Sequence, residues 1–318
     1  MATLEPTADR TNRASLSEAT ASATSTKSSL NQGARNKAIG RIGPWQLVRL
    51  LHEGELARVY LARPADSPAE QPAAYAVKVL RKEWWRHAGA IEMQRRSAWV
   101  GRRATHPNLL PVLSCGVQQP PFYVVSPRLE GESLAAVLQR ERRLPLSVTL
   151  WIVRQVAEAL EALHDKTGMV HGDVKPANVM LAPDGHATLI DFGFVHSPRE
   201  AKHWATQPVF GTLNYIAPEV VASSLSCDLR ADLYGLGVML YEMLSGVLPH
   251  KAADAESLIR MHRETKPVCI RERQSETPKA VASLVHRLLA KDPLRRPESA
   301  GIVAEELVRL EIASFSSH

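Results

Sequence analysis

The stretch from His171 to Gly193, HGDVKPANVMLAPDGHATLIDFG, constrains this chain more than any other. It sets a histidine, an aspartate, a lysine and an asparagine within eight positions, interrupted by Pro176. Thirteen residues beyond Asn178, the apolar run ATLI leads into Asp191, Phe192 and Gly193. Asp, Asn and Pro are ordinary turn residues, so the first eight positions can also be read as a solvated turn after a helix. The second half argues for chemistry. A strand that delivers an aspartate into a glycine-containing turn points a carboxylate at a cation. Asn178 and Asp191 both offer hard oxygens, and Mg²⁺ takes one or two of these from protein while phosphates and waters complete its octahedron. Asp173 has no obvious partner in the sequence, which leaves it to accept a proton or orient a hydroxyl. Lys175, two residues on, can neutralise charge on a transferred phosphoryl group.

Composition leaves room for this reading and closes others. The 318 residues, 45% hydrophobic and 23% charged, suffice for a large core or two lobes. The formal charge is +6, but residues 1 to 41 hold six Lys/Arg against three Asp/Glu, so half the excess sits in a tail. A nucleic-acid partner needs a basic stripe on folded structure, and none is expected. Cys115, Cys227 and Cys269 are far apart, with no metal-ligand spacing, which fits a reducing, cytoplasmic setting. No secretory signal opens the chain. The most apolar run, LYGLGVMLYEMLSGVL (233–248), carries Glu242 and reads as a buried helix rather than a membrane segment.

Residues 1 to 40 are rich in Ser, Thr, Ala and Asn and are expected to be a disordered tail. Five strand-like runs follow (WQLVRLL, ARVYLA, AYAVKVL, VLSCGV and FYVVS), with one helix expected over 87–103. After Leu134 helical periodicity takes over. LSVTLWIVRQVAEALEALHDKTG has apolar residues at 150, 153, 156, 157, 160 and 163 and ends at Gly168. Further helices are expected near 228–246, 254–264, 278–290 and 298–311. The fold class is therefore α+β, with a small five-stranded lobe carrying one helix (41–129), a larger mostly helical lobe (130–312) and a short tail (313–318).

Taken in order, HGDVKPANVM…LIDFG, GTLNYIAPE (211–219), DLYGLGVMLYEMLSG (232–246) and DPLRRP (292–297) resemble a eukaryotic-type Ser/Thr protein kinase of the bacterial branch, over about Ile42 to Leu310. The resemblance implies the bilobal kinase fold, ATP and Mg²⁺ as cofactors, and a protein substrate with a Ser or Thr acceptor. It makes Asp173 the catalytic base beside Lys175, makes Asn178 and Asp191 the metal ligands, and gives Lys78 of AVK the α/β-phosphates. The nucleotide pocket would take in Leu51, Gly54, Val59 and Ala76. In the hinge, Ser126 is the gatekeeper, Pro127 offers its carbonyl to adenine and Leu129 its N–H. Glu219 and Arg296 match a buried ion pair, and Asp232 a prop for the catalytic loop; the plainer reading of each is a solvated charge. Lys175 and Thr212 are the marks of a Ser/Thr rather than a Tyr acceptor.

Several positions depart from the family pattern. In LHEGELARVYLA the phosphate loop keeps Gly54 but has His52 and Ala57 in place of the first and third glycines. Counting back from His106, the glutamate expected to pair with Lys78 falls on Ser97. Glu92 lies five residues earlier, about 140° around a helix. HGD puts Gly172 where an arginine normally clamps a phosphorylated activation loop, so phosphorylation at Ser197, Thr206 or Thr212 is not expected to be the on-switch. Arg95, Arg96, Arg102 and Arg103 read as a solvated face, or as a dock for an acidic partner or phosphosite. Two other functions remain open at this level. One is a pseudokinase serving as a nucleotide-binding scaffold. The other is a small-molecule phosphotransferase, a class that shares HGD with Asn five residues on but lacks the GTxxYxAPE and DxYGLG segments.

Overall fold

The computed structural model describes residues 38–68, 70–200, 213–222 and 228–315. The expected tail therefore lies outside the described residues except for its last three positions, and so do Thr206, Thr212 and Cys227. The fold is α+β and bilobal. The smaller lobe is an antiparallel sheet built from β1 (Gly40–Ile42), β2 (Trp45–Glu53), β3 (Ala57–Pro64), β4 (Tyr75–Leu80), β5 (Ser114–Gly116) and β6 (Tyr123–Pro127), in the spatial order β1-β2-β3-β4-β6-β5. That is one strand more than the sequence pattern indicates. β1 is three residues long and begins with glycine, too short to show an alternation.

The period-two geometry of β4 decides what faces what. Val77 and Val79 are buried with Leu47, Ala62 and Val125 in the sheet's own core. Lys78 stands opposite Val59 on one side and Val124 on the other, and Ala76 stands opposite Leu61 and Ser126. Val59, Ala76, Lys78 and Ser126 consequently share the opposite face. α1 (Ala88–Arg103) packs on this same face, where its Ala98 meets Val124, and its start is capped by His87 Nδ1, which accepts from the Ala90 N–H at 3.2 Å.

The larger lobe begins with β7 (Glu132–Ser133), α2 (Leu134–Glu141) and α3 (Leu146–Thr167). α3 ends as the sequence indicates, at Gly168 in the left-handed region (φ +65°), whose N–H closes on His164 O at 2.7 Å. β8 (Val179–Leu181) and β9 (Ala187–Leu189) pair antiparallel, with Val179 opposite Leu189. This hairpin matters for the site. It follows directly on Asn178 and leads out to Asp191, and the Ile190 N–H bonds Asn178 O at 2.9 Å, so two residues thirteen positions apart become neighbours. The remaining helices are α4 (Pro218–Ala222), α5 (Arg230–Ser245), α6 (Ala255–Glu264), α7 (Ile270–Arg273), α8 (Lys279–Leu288) and α9 (Ala300–Phe315). Apolar faces of α3, α5, α8 and α9 meet in one continuous core. α5 is the buried helix that the run 233–248 suggests. Gly235 within it allows close approach of the catalytic segment: a Cβ there would lie 2.9 Å from Val174 O.

Candidate active site

The segment His171–Asn178 has no regular structure of its own before a single 3₁₀ turn at Pro176–Asn178, so its shape is imposed by neighbours. Asp232, in the first turn of α5, does most of this. Its carboxylate accepts from the His171 N–H at 2.7 Å, the Gly172 N–H at 2.9 Å and His164 Nε2 at 2.9 Å. Burial pushes the Asp232 carboxyl up, but the His164 hydrogen bond and the nearby imidazoles outweigh it and hold the group below the usual carboxylate range. Solvated charge is thus the wrong reading of Asp232. Gly172 sits at φ +77°, and a Cβ would meet Phe194 O at 2.9 Å and the His196 ring at 3.2 Å. The position that resemblance assigns to an arginine is here a packed turn.

Asp173 is held by two side chains. Lys175 Nζ lies 2.7 Å from its Oδ2, and Asn178 Nδ2 donates to the same oxygen at 2.8 Å and to Asp173 O at 2.8 Å. Among the described residues Oδ1 of Asp173 receives no hydrogen bond, and this leaves one carboxylate oxygen for an incoming group. Because the Asn178 nitrogen is turned to Asp173, its Oδ1 faces the other way. Beyond the β8–β9 hairpin, Asp191 takes a left-handed backbone (φ +65°, ψ +83°) and its Oδ1 accepts from the Gly193 N–H at 3.2 Å. The same oxygen lies 2.6 Å from Lys78 Nζ. Desolvation in the cleft raises the Asp191 carboxyl, while the charge and hydrogen bond of Lys78 and the Gly193 N–H pull it net downward, so it stays ionised.

Among the described residues, no group of three or more His, Cys, Asp or Glu is arranged to hold a metal ion unaided. An anionic carboxylate and an amide oxygen on adjoining turns fit a hard divalent cation that shares its remaining positions with phosphate and water. The donor set therefore fits Mg²⁺ held jointly with a nucleotide.

Of the expected nucleotide-pocket residues, Val59, Ala76, Lys78 and Ser126 line one face of the sheet, and Ser126 is buried. Leu51 falls in the register shift between Leu50 and His52, where the β2–β3 ladder carries an extra residue. Pro127 ends β6 opposite Tyr75, and Leu129 follows in the link to β7. The phosphate loop differs from expectation. Gly54 is not in the left-handed region, and its N–H is already bonded to Ala57 O at 2.9 Å. Space there is tight without excluding a side chain, since a Cβ would sit 3.2 Å from Ala57 O. The rest of the loop is tied to the segment after β4: the Arg81 N–H bonds Leu56 O at 2.9 Å, and Trp84 Nε1 bonds Glu55 O at 3.2 Å.

α1 presents Ser97 and Gln94 as buried polar residues on one face. Glu92 does not reach Lys78; it pairs with Arg96 at 3.1 Å. Arg96 is no solvated cation either. It forks onto Glu200 at 2.8 and 2.9 Å and also donates to Val195 O at 3.3 Å. This fork draws the Glu200 carboxyl down to about 2, with further help from the Ser197 N–H. Arg95 donates to Val117 O and Arg103 stacks on Trp99, but both side chains, like that of Arg102, stay exposed, as the solvated-face reading expects. Glu200 escaped the sequence reading because nothing local marks it; its partner is 104 residues away. Glu219 and Arg296 form a buried bidentate pair at 2.6 and 2.8 Å, and Arg296 also donates to Ala290 O and Arg230 O.

The chain is similar to known proteins over most of its length. Residues 45–308 match the protein kinase domain family. The chain is 32% identical over 265 residues to the serine/threonine-protein kinase PknD of Mycobacterium tuberculosis, covering 83% of this chain and 39% of that protein. It is 34% identical over 298 residues to PksC of Streptomyces coelicolor, covering 90% and 52%. A probable serine/threonine-protein kinase of Clostridium perfringens is 29% identical over 275 residues, covering 86% and 39%. The chain thus spans about two fifths to one half of the length of these relatives.

Proposed function

The chain belongs to the protein kinase family, and on that premise we propose that it transfers the γ-phosphoryl group of ATP to Ser or Thr hydroxyls of a protein substrate. One observation carries the reading: Lys175 and Asn178 converge on the Asp173 carboxylate, Lys78 meets the Asp191 carboxylate, and the Ile190 N–H bond to Asn178 O joins the two groups. Asp173 is the base. Its Oδ2 is fixed by Lys175 and Asn178, and its Oδ1 is left to accept the proton of the acceptor hydroxyl as attack proceeds. Lys175, beside it, stabilises charge on the transferring group. Lys78 holds the α/β-phosphates beneath the loop from Leu51 to Val59, and Ala76, Ser126, Pro127 and Leu129 frame the adenine. Asn178 and Asp191 would hold Mg²⁺, which would supply charge neutralisation for the phosphate oxygens. Positioning and fixed charge, rather than covalent help, account for the rate.

Lys175 favours a Ser/Thr acceptor, because a short hydroxyl must approach the base closely and the lysine braces both. Cys115 and Cys269 are free thiols, which supports a reducing, cytoplasmic setting. Among the described residues no helix is long and apolar enough to cross a membrane.

The test is transfer of labelled γ-phosphate from MgATP, by the protein alone and with a generic basic acceptor protein, beside Asp173→Asn. Loss of a positioned base costs about 100-fold or more. Incorporation in the wild type that falls by that factor in the variant supports the kinase; equal incorporation by both refutes it.

A further inference from the structure

Lys78 lacks the carboxylate that resemblance assigns to α1, yet α1 still holds it by a different atom. Gln94 is buried on the face of the helix turned to the sheet, and its Nε2 lies 3.0 Å from the main-chain oxygen of Lys78. A carbonyl can only accept, so the nitrogen end of the amide must face it, and the bond is a true donor–acceptor pair. Gln94 lies one turn before Ser97 on the same face. The adjacent residue completes the arrangement: the Met93 side chain lies against Gly193, within 3.3 Å of where a Cβ would be. One turn of α1 thus touches both Lys78 and the turn that carries Asp191, and these two residues are paired with each other at 2.6 Å.

We propose that Gln94 is the positioning residue for Lys78, fixing the lysine relative to α1 through the main chain in place of an ion pair through the side chain. This rests on the reading that Lys78 holds nucleotide phosphates. A neutral hydrogen bond to the backbone sets where the lysine starts from but makes no claim on its ammonium. Among the described residues the ionic partner of Lys78 is Asp191 alone. The ammonium is then free to exchange that carboxylate for phosphate oxygens without first leaving a second carboxylate.

The experiment compares wild type, Gln94→Met, Lys78→Met and the double variant Gln94→Met/Ser97→Glu. Gln94→Met keeps length and burial and removes the donor. MgATP affinity is read by displacement of a fluorescent nucleotide, and KM for ATP and for an acceptor peptide are read separately. Removing one neutral hydrogen bond should weaken ATP binding and raise KM for ATP by about 3- to 10-fold in Gln94→Met. KM for the acceptor peptide should not move. Ser97→Glu, which returns a carboxylate one turn along, should recover most of the loss in the double variant. ATP affinity in Gln94→Met equal to wild type, with Lys78→Met impaired, overturns the proposal and leaves the kinase reading standing. A parallel loss of acceptor affinity also overturns it, since that is the mark of general damage. Undiminished binding in Lys78→Met overturns both readings together.

Discussion

Replacing Gly172 by alanine is a small chemical change whose sign separates two accounts of the catalytic segment. If Gly172 were merely a degenerate position, alanine would be compatible and would stabilise the fold by about 0.4–1 kcal/mol through the unfolded chain. The structure argues otherwise. The residue sits at φ +77°, where a side chain costs roughly 1–2 kcal/mol. The new Cβ would lie 2.9 Å from Phe194 O and 3.2 Å from the His196 ring. Neither neighbour can yield easily. His196 is fixed by paired backbone bonds with Val170 at 2.9 and 3.1 Å and by its own Nδ1 contact to Phe194 O at 2.8 Å. Overlap with held atoms adds about 1 kcal/mol. Net of the unfolded-state gain, Gly172→Ala should cost about 2 kcal/mol, or roughly 4–8 °C in melting temperature for a domain of this size. Thermal unfolding followed by circular dichroism measures it. Phosphoryl transfer should fall as well, because the strain is relieved by moving the His171–Asp173 backbone that Asp232 holds. A melting temperature equal to or above wild type would show that the turn is not constrained as described.

Two further perturbations test the frame around the site. Glu219→Gln leaves the buried Arg296 guanidinium without its counter-charge and should destabilise by about 3–5 kcal/mol, whereas Glu219→Leu with Arg296→Met should recover most of this in denaturant titrations; a single-variant loss below about 1 kcal/mol would sink the assignment. Burial and the Lys291 charge push His250 down to about 4, and burial with His250 and Lys291 pushes His262 down to about 3. Both folded values lie below the unfolded 6.5, so the unfolded chain binds the extra protons, and stability present above pH 6.5 drains away as pH falls toward 4. Roughly 2–3 kcal/mol per histidine should be gone by pH 4.5, and a melting temperature flat between pH 7 and 4.5 would contradict it.

The parts of the site that could be read from the sequence are those whose geometry is local. Asp173, Lys175 and Asn178 lie within one turn-forming segment, and their mutual contacts span five residues or fewer. The β8–β9 hairpin is short enough that Asn178 and Asp191 had to end near each other. Helix boundaries were legible for a similar reason: α3 carries an unbroken 3.6-residue period and a glycine stop. What stayed hidden depends on register between distant elements. Whether position 94, 97 or 92 of α1 faces Lys78 is set by how the helix crosses the sheet, and no local pattern encodes that crossing. The Arg96–Glu200 fork joins segments from different lobes, so one arginine of a run that is otherwise exposed, as a solvated face should be, proves to be a link between them. β1 was missed because three residues cannot display a period.

The departures from the family pattern bear on one another more than a residue-by-residue count suggests. Ser97 removes a negative charge from beside Lys78, and Gly172 removes a positive one from beside the segment after Asp191. Arg96 and Glu200 then form their own pair within that region, bridging α1 to the segment after Asp191 at 2.8 Å. Helix α1 is thereby tied to the larger lobe by a charge pair at position 96 and to the sheet by a neutral one at position 94. The tie to the larger lobe is charged at neutral pH, because the Arg96 fork draws the Glu200 carboxyl down to about 2. Gln94 and Arg96 thus tie α1 on two sides, close to position 97 where the expected carboxylate is missing, and they add to the buried packing of Ala90 and Ala98.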